Sequence, residues 1–460
     1  MQISPARRAA FEILRRVEEE GAYSSALLAK TDDDLKAKDR GLCHELVLGV
    51  LRRQLWLDST IEHFAARRID SLDRGVVIAL RLGIYQLRFL SKIPPRAAIN
   101  ESVSLVKAAR LKSAASFVNA VLRRGTREPD YDPAAGVIDM MEQLAIETSH
   151  PRWLLERWTR QFGSEEAAAI ARANNEPAAL TFRFTARALS NGDSSPSTII
   201  SQLRAAGACL IESKIAPGAW RFPNGLANGS DTSGGLPGGM TAVLRKLAAA
   251  GLVYFQEEAS QMVARLLDIT GENIVLDVCA APGSKSTLIA ALSPQTMIVA
   301  GDLYEHRVHT MKGLAERQQT KNLQVVVHDA IQDLPFPPRL FDRVLVDAPC
   351  SGTGTLRHNP EIRWRLTPSD FTELRGKQTS ILDHASAVVR PGGVLLYSTC
   401  SLERDENEAV AADFQKGHAD FEIAPLKSGP DLSTDTGAVR TWPHRQGVDG
   451  FFATAFQRKA

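Results

Sequence analysis

The sequence predicts a three-part protein: an all-α bundle over residues 1–130, a small α+β module over 145–250, and an α/β domain with a mostly parallel sheet over 251–460. Three observations carry this. Apolar residues recur at helical spacing through the first part. The middle stretch sets short apolar runs between loops rich in Gly, Ser, Asn and Pro. From about residue 251, strands and helices alternate at βαβ spacing. At 460 residues the chain exceeds what one hydrophobic core usually fills, in agreement with several domains.

In the first part, Phe11, Leu14 and Val17, then Leu42, Leu46 and Val50, then Leu80, Ile84 and Leu87 recur at spacings of three and four. Arg15, Arg16, Arg52, Arg53, Arg81, Arg88, Arg123 and Arg124 fall between them, which predicts a helical bundle with a basic surface. Residues 1–130 hold 23 Lys and Arg against 16 Asp and Glu, a net of +7, while the remainder carries −5. Such asymmetry suggests a polyanion-binding module joined to something else. Pro94 and Pro95 interrupt the pattern once, and Glu128 to Pro133 reads as an exit linker. The order of helices, with the segment from Asp39 through Arg53 and the run IPPRAAINESVSLVK, resembles the NusB-type RNA-binding antitermination fold.

In the second part, Trp153, Leu154 and Trp158 predict a short helix and Ala179 to Phe184 a strand. Asn191 to Ser197 and Asn224 to Gly239 read as loops. No residue here carries chemistry on its own.

A hydrophobic fraction of 44% with 23% charged residues is ordinary for a soluble globular chain. No run of about 18 apolar residues occurs, and Met1 to Glu20 is charged and amphipathic, unlike a signal peptide. A cytoplasmic protein without a membrane partner is expected. The five cysteines, Cys43, Cys209, Cys279, Cys350 and Cys400, are widely spaced with no CxxC pair. That argues against a disulfide framework and a structural metal site, and leaves reduced thiols of which any could be a nucleophile.

In the third part the expected strands are Asn273 to Val278, Met297 to Asp302, Leu323 to Val327, Arg343 to Asp347, Gly393 to Ser398 and Phe451 to Phe456. Ligands of such sheets bind at the carboxyl ends of the strands. The first strand runs into Cys279-Ala280-Ala281-Pro282-Gly283-Ser284-Lys285, where small residues let the backbone approach a ligand and a helix start offers free N–H groups. Asp302 ends the second strand, suited to two ribose hydroxyls, and Asp329 closes the third, suited to an adenine amine. A P-loop requires GxxxxGK[ST], and no glycine stands at the required spacing before Lys285. A dinucleotide turn wants GxGxxG, and this one has a single glycine. S-adenosylmethionine fits best, because it needs ribose and adenine contacts but no pyrophosphate cradle.

Two cysteines follow neighbouring strands 50 residues apart, Cys350 in Asp347-Ala348-Pro349-Cys350 and Cys400 in Ser398-Thr399-Cys400. Packing accounts readily for one such cysteine and poorly for two. Carbon 5 of cytosine becomes nucleophilic only after a thiolate adds to C6, and a base must later remove the C5 proton. Asp347 is placed to hydrogen-bond N3 during the addition. On the residues alone, either cysteine can be the nucleophile and the other the candidate for the release step. Arg357, His358, Arg363, Trp364 and Arg365 form a basic, aromatic segment suited to phosphate contact and stacking on an extruded nucleotide.

The motifs LDVCAAPGSKS, DAPCSGTGTLRHNPEIRW, LLYSTCSLERDENE and WPHRQGVDGFFATAF resemble those of the Nol/Nop/Sun family of RNA 5-methylcytosine methyltransferases, over residues 251–460. The resemblance implies a Rossmann-like class I methyltransferase domain, S-adenosylmethionine as cofactor, and small-subunit ribosomal RNA as substrate; a monomer is expected. It implies Cys400 as nucleophile and Cys350 in product release. It also implies that Cys279 to Lys285, Asp302, Asp329 and Asp347 line the cofactor and base pocket. The family usually has Gly-Gly-Lys where Gly283-Ser284-Lys285 stands, which matters only if position 284 needs positive φ. Two alternatives stay open: a transfer-RNA or large-subunit enzyme of the same chemistry, and an RNA-binding assembly factor with an inactive domain.

Overall fold

The computed structural model describes residues 3–31, 34–190, 192, 194–223, 240–271 and 273–460, so the loop expected at Asn224 to Gly239 lies outside the described residues. The chain forms two compact units. One comprises 1–177 with the segment Leu356–Arg365; the other comprises the rest of the described chain from Ala178.

In the first unit, helices Pro5–Glu19, Ala37–Arg52, Gln54–Ala65, Arg74–Phe89, Pro95–Ala108 and Ala115–Arg127 bury one apolar cluster that includes Leu14, Leu46, Ile61, Leu80 and Val118. Pro94 and Pro95 start a helix as N-cap and first residue, where a missing N–H costs nothing. Helices Met140–Thr148, Arg152–Phe162 and Ser164–Ala173 belong to the same unit.

One of the arginines expected on the basic surface is corrected: Arg81 is buried, and several of the others are engaged in ion pairs at the surface. Arg81 is 6% exposed and pairs with Asp58 and Glu18, because a guanidinium on a buried face needs carboxylates around it. Arg15 bonds Glu12 and Glu19, Arg16 bonds Glu20, Arg124 bonds Glu128, and Arg88 donates to the Glu128 carbonyl. Arg123, whose Nε donates to Asn119, remains exposed.

The second unit contains two sheets. β1 (Leu180–Phe184), β2 (Ile211–Glu212), β3 (Ala219–Phe222) and β4 (Val253–Phe255) form an antiparallel sheet in the order β2-β3-β1-β4. The larger, eight-stranded sheet comprises β5 (Ile274–Asp277), β6 (Met297–Asp302), β7 (Leu323–Val327), β8 (Phe341–Asp347), β9 (Val389–Thr399), β10 (Phe421–Ala424), β11 (Val439–Arg440) and β12 (Phe452–Arg458). Its order is β10-β12-β9-β8-β5-β6-β7, parallel from β9 through β7, with β12 antiparallel to β9 and to its other two partners. The short edge strands β10 and β11 escaped the sequence pattern because each is held by β12 rather than by an apolar run of its own. Chain order reverses between β5 and β8, so their carboxyl ends open the crevice in which such sheets bind ligands.

Candidate active site

The cofactor turn leaves β5 at Asp277. The Val278 and Ala280 N–H groups donate to the Leu345 and Gly301 carbonyls, which ties the turn to β8 and β6. Gly283 has φ +96° and the helix Ser284–Leu292 begins at the next residue, so the left-handed position falls on a glycine and position 284 is helical. The serine is therefore tolerated. Arg183 of β1 is fully buried and donates to the Ser284 carbonyl at 3.0 Å and to Thr287 Oγ1 at 2.8 Å, fixing the helix start from the smaller sheet.

Around this turn lie Asp302, Asp329 and Cys279. Asp302, 5% exposed at the end of β6, accepts from the Ala281 and Tyr304 N–H groups and pairs with Arg307 at 3.1 Å. Asp329 is half-buried just past β7 and accepts from the Ile331 N–H. Burial pushes the Cys279 thiol well up, which keeps it neutral. Asp277 is 1% exposed, with Oδ2 bonded to Ser286 and Oδ1 without a partner; burial raises its carboxyl to about 7. His328 contributes a second unpartnered buried atom, Nδ1, while its Nε2 lies 3.0 Å from the Val278 carbonyl. Sequence reading missed His328, since a lone histidine after a strand carries no spacing signal. Two orphaned polar atoms, a small-residue turn and carboxylates closing adjacent parallel strands fit a polar nucleoside with a sulfonium side chain.

Beside them sits the thiol pair. Cys350 Sγ lies 3.0 Å from Cys400 Sγ. The contact with Cys400, together with burial, raises the Cys350 thiol well above its usual value. Asp347, at the end of β8, accepts from Lys285 Nζ at 2.6 Å and from Ser398 Oγ at 2.8 Å. Burial works against the Lys285 charge, but Asp347 more than offsets it, so the ammonium is held above its ordinary value, 5.3 Å from the Phe451 ring centroid. Lys285 thus bonds a site carboxylate.

Glu406 is the residue the sequence reading left without a role. Fully buried, it accepts from the Ser351 N–H at 2.8 Å, the Ser351 hydroxyl at 2.5 Å, the Ser401 hydroxyl at 2.5 Å and Gln378 Nε2 at 3.0 Å. Ser351 follows Cys350 and Ser401 follows Cys400, so one carboxylate binds both cysteine loops. The Gly354 N–H donates to the Cys400 carbonyl at 2.9 Å, and a Cβ at Gly354 would lie 2.0 Å from the Gly450 carbonyl, so only glycine admits this crossing.

The basic segment expected to touch a nucleotide belongs to the first unit, where Arg357 and Arg363 are buried and His358, Trp364 and Arg365 half-buried. Arg363 is 0% and Arg357 6% exposed. Arg363 donates to the Ser149 carbonyl and to Asn175 Oδ1, Arg365 to the Val17 and Ala22 carbonyls, Arg357 to the Pro177 carbonyl, and Trp364 to the Leu51 carbonyl. Glu361 accepts from the Ser24 N–H and hydroxyl. The expectation is corrected: these guanidinium forks satisfy backbone carbonyls left open at helix ends. Among the described residues no helix is long and apolar enough to cross a membrane, and no group of three or more His, Cys, Asp or Glu is placed to hold a metal ion.

Comparison with known proteins agrees with this geometry. Residues 264–457 match the family model of the 16S rRNA methyltransferase RsmB/F, residues 4–127 that of the NusB family, and residues 150–225 the ferredoxin-like domain of RsmF/B-like methyltransferases. The chain is 34% identical to the probable ribosomal RNA small subunit methyltransferase B of Bacillus subtilis, covering 100% of both chains. It is 33% identical to the protein of the same description from Synechocystis, covering 97% of this chain and 98% of that one. The solved structure of PH0851 covers 100% of both chains with a TM-score of 0.81 at 26% identity. The larger sheet is accordingly that of a class I methyltransferase domain that uses S-adenosylmethionine. The chain belongs to the ribosomal RNA small subunit methyltransferase B family.

Proposed function

We propose that this chain methylates C5 of a cytosine in small-subunit ribosomal RNA through a covalent adduct between Cys400 and C6. The observation that carries the reading is the 3.0 Å contact of the two cysteine sulfurs, in a site that also holds the Lys285–Asp347 pair. S-adenosylmethionine supplies an electrophilic methyl group; Cys279 to Lys285 with Asp302 and Asp329 would hold it, Asp302 on the ribose and Asp329 on the adenine amine. The rest of the chemistry falls to the chain. Lys285, held charged by Asp347, places positive charge near the nucleophile. The Cys400 thiolate adds to C6, and the negative charge that develops on N3 is met by a proton that Asp347, oriented by Ser398, relays from the Lys285 ammonium bonded to it. Cys350 keeps its proton during this step, because the contact with Cys400 and burial disfavour its ionisation. Once Cys400 is a thioether, the main cause of that elevation is gone. Cys350 can then lose its proton to water, accept the C5 proton and let the S–C6 bond break, with Cys400 leaving as thiolate.

The division of labour follows the sequence: 1–130 and 145–250 bind RNA, and 251–460 carries out the chemistry. The chain acts as a cytoplasmic monomer without a metal. Bisulfite sequencing of small-subunit RNA tests the reading. One cytosine should lose protection in cells lacking the protein and regain it with the wild-type chain but not with Cys400→Ala. Full protection in the deletion strain would overturn it.

A further inference from the structure

Within the second unit, a cavity of about 1170 Å³ opens between the β2 edge of the smaller antiparallel sheet, the helix Glu258–Leu266 and the segments 427–432 and 445–448. Its wall carries Lys214, Arg221, Arg265, Lys427 and Arg445 against Glu212, Glu258 and Asp431, an excess of positive charge although residues 131–460 are acidic overall. Part of this charge is already engaged. Arg221 lies 3.6 Å from the buried Glu258, Lys427 pairs with Asp268 at 2.6 Å, and Glu212 accepts from the Gly218 N–H. The Nε atoms of Arg221 and Arg265 are nonetheless buried without a hydrogen-bond partner. With Lys214 and Lys427 these guanidinium groups give the cavity a cationic lining. Between them the wall is apolar, with Ile215, Pro217, Met262, Leu266 and Val448.

Size and position select the ligand. The volume exceeds the roughly 300–1000 Å³ of an ordinary small-molecule pocket. An alternation of cations with apolar surface suits a strand of phosphates and bases better than one compact anion. Two residues beyond Val448, the Gly450 N–H donates to the Gly354 carbonyl at 2.9 Å, and Gly354 N–H donates to the Cys400 carbonyl at the same distance. The cavity wall therefore continues along the chain into the cysteine cluster.

We propose that this cavity is a subsite for the RNA strand flanking the target cytosine, with backbone phosphates on Lys214, Arg221, Arg265 and Lys427 and a base against Met262 and Leu266. The proposal rests on the RNA-methyltransferase reading. Its test is the salt dependence of binding to protein-free small-subunit ribosomal RNA, using the full chain. The variant Lys214→Gln/Arg265→Gln/Lys427→Gln leaves Arg221 to neutralise Glu258. A control, Lys321→Gln/Lys377→Gln/Lys416→Gln, removes three exposed charges outside the cavity. The cavity variant should flatten the slope of log affinity against log salt by about 2, at about 0.7 for each phosphate released. The control should change it by less than about 1, and both should keep wild-type melting temperature and S-adenosylmethionine affinity. An unchanged slope in the cavity variant, or an equal loss in the control, overturns the subsite while leaving the methylation reading intact. A wild-type chain that neither binds nor methylates this RNA removes that reading and the subsite with it.

Discussion

The sulfur of Cys350 lies 3.0 Å from the sulfur of Cys400, inside the sum of two sulfur radii, so the two residues are in direct hydrogen-bond contact. Cys400→Ala should form no adduct and methylate nothing. Cys350→Ala keeps the nucleophile but lacks the base, and should accumulate a protein–RNA adduct that survives denaturation. Denaturing gels after incubation with substrate RNA and S-adenosylmethionine read both outcomes. A shifted band from Cys400→Ala instead would exchange the two roles.

Glu406 should act as a positioning residue. Gln at this position keeps the volume but replaces one acceptor oxygen with a donor amide, facing donors from Ser351, Ser401 and Gln378. We expect Glu406→Gln to lower stability by about 2–4 kcal/mol, since hydrogen bonds to a buried charge are worth about 1.5–3 kcal/mol each. Methyl transfer at saturating RNA should fall at least tenfold with cofactor affinity unchanged. Activity at the wild-type level in the folded variant would show that the cysteine loops hold their geometry without it.

Asp302→Ala should weaken S-adenosylmethionine binding by about 1–3 kcal/mol, the cost of removing the acceptor from a buried hydroxyl. Calorimetry measures this directly. Unchanged affinity would take Asp302 out of the cofactor site.

Asp277 makes stability depend on pH. Its folded carboxyl titrates near 7 against 3.8 for the free side chain, so the unfolded chain ionises first. The stabilisation is complete below about pH 4 and is lost as pH rises through 7, about 4 kcal/mol in all. Asp277→Asn should remove this slope. Denaturant titrations from pH 4.5 to 8 would show it, and an equally steep decline in the variant would assign the effect to another group.

Arg363 carries a structural load rather than an RNA contact. Arg363→Met leaves the Ser149 carbonyl and Asn175 side chain without their donor and should cost about 2–4 kcal/mol in stability. Lys should not rescue it, because one ammonium cannot reproduce the planar fork. The melting temperature decides, and RNA affinity per folded molecule should stay at the wild-type value. A loss of affinity without a loss of stability would restore the nucleotide-contact role.

The chain's own pattern determined the parallel strands from β5 to β9, their turn at Cys279 to Lys285, and the two cysteines at strand ends. Each of these is local: an apolar run, a small-residue turn, or a reactive side chain at a fixed offset from a strand. Three features depended on tertiary structure. Asp58 and Glu18 take up the Arg81 charge, although nothing in the spacing of positions 18, 58 and 81 marks them as partners. Glu406 binds both cysteine loops from a motif that reads as a charged surface run, since burial and not composition turns a glutamate into a clamp. The segment from Arg357 to Arg365 looks solvent-facing because four of its nine residues are cationic or imidazole, yet its guanidinium groups complete helix ends of the first unit. Local sequence sets backbone geometry and the supply of reactive groups. Which charges stay free for a ligand depends on which unsatisfied carbonyls and carboxylates the fold brings within about 3 Å of them.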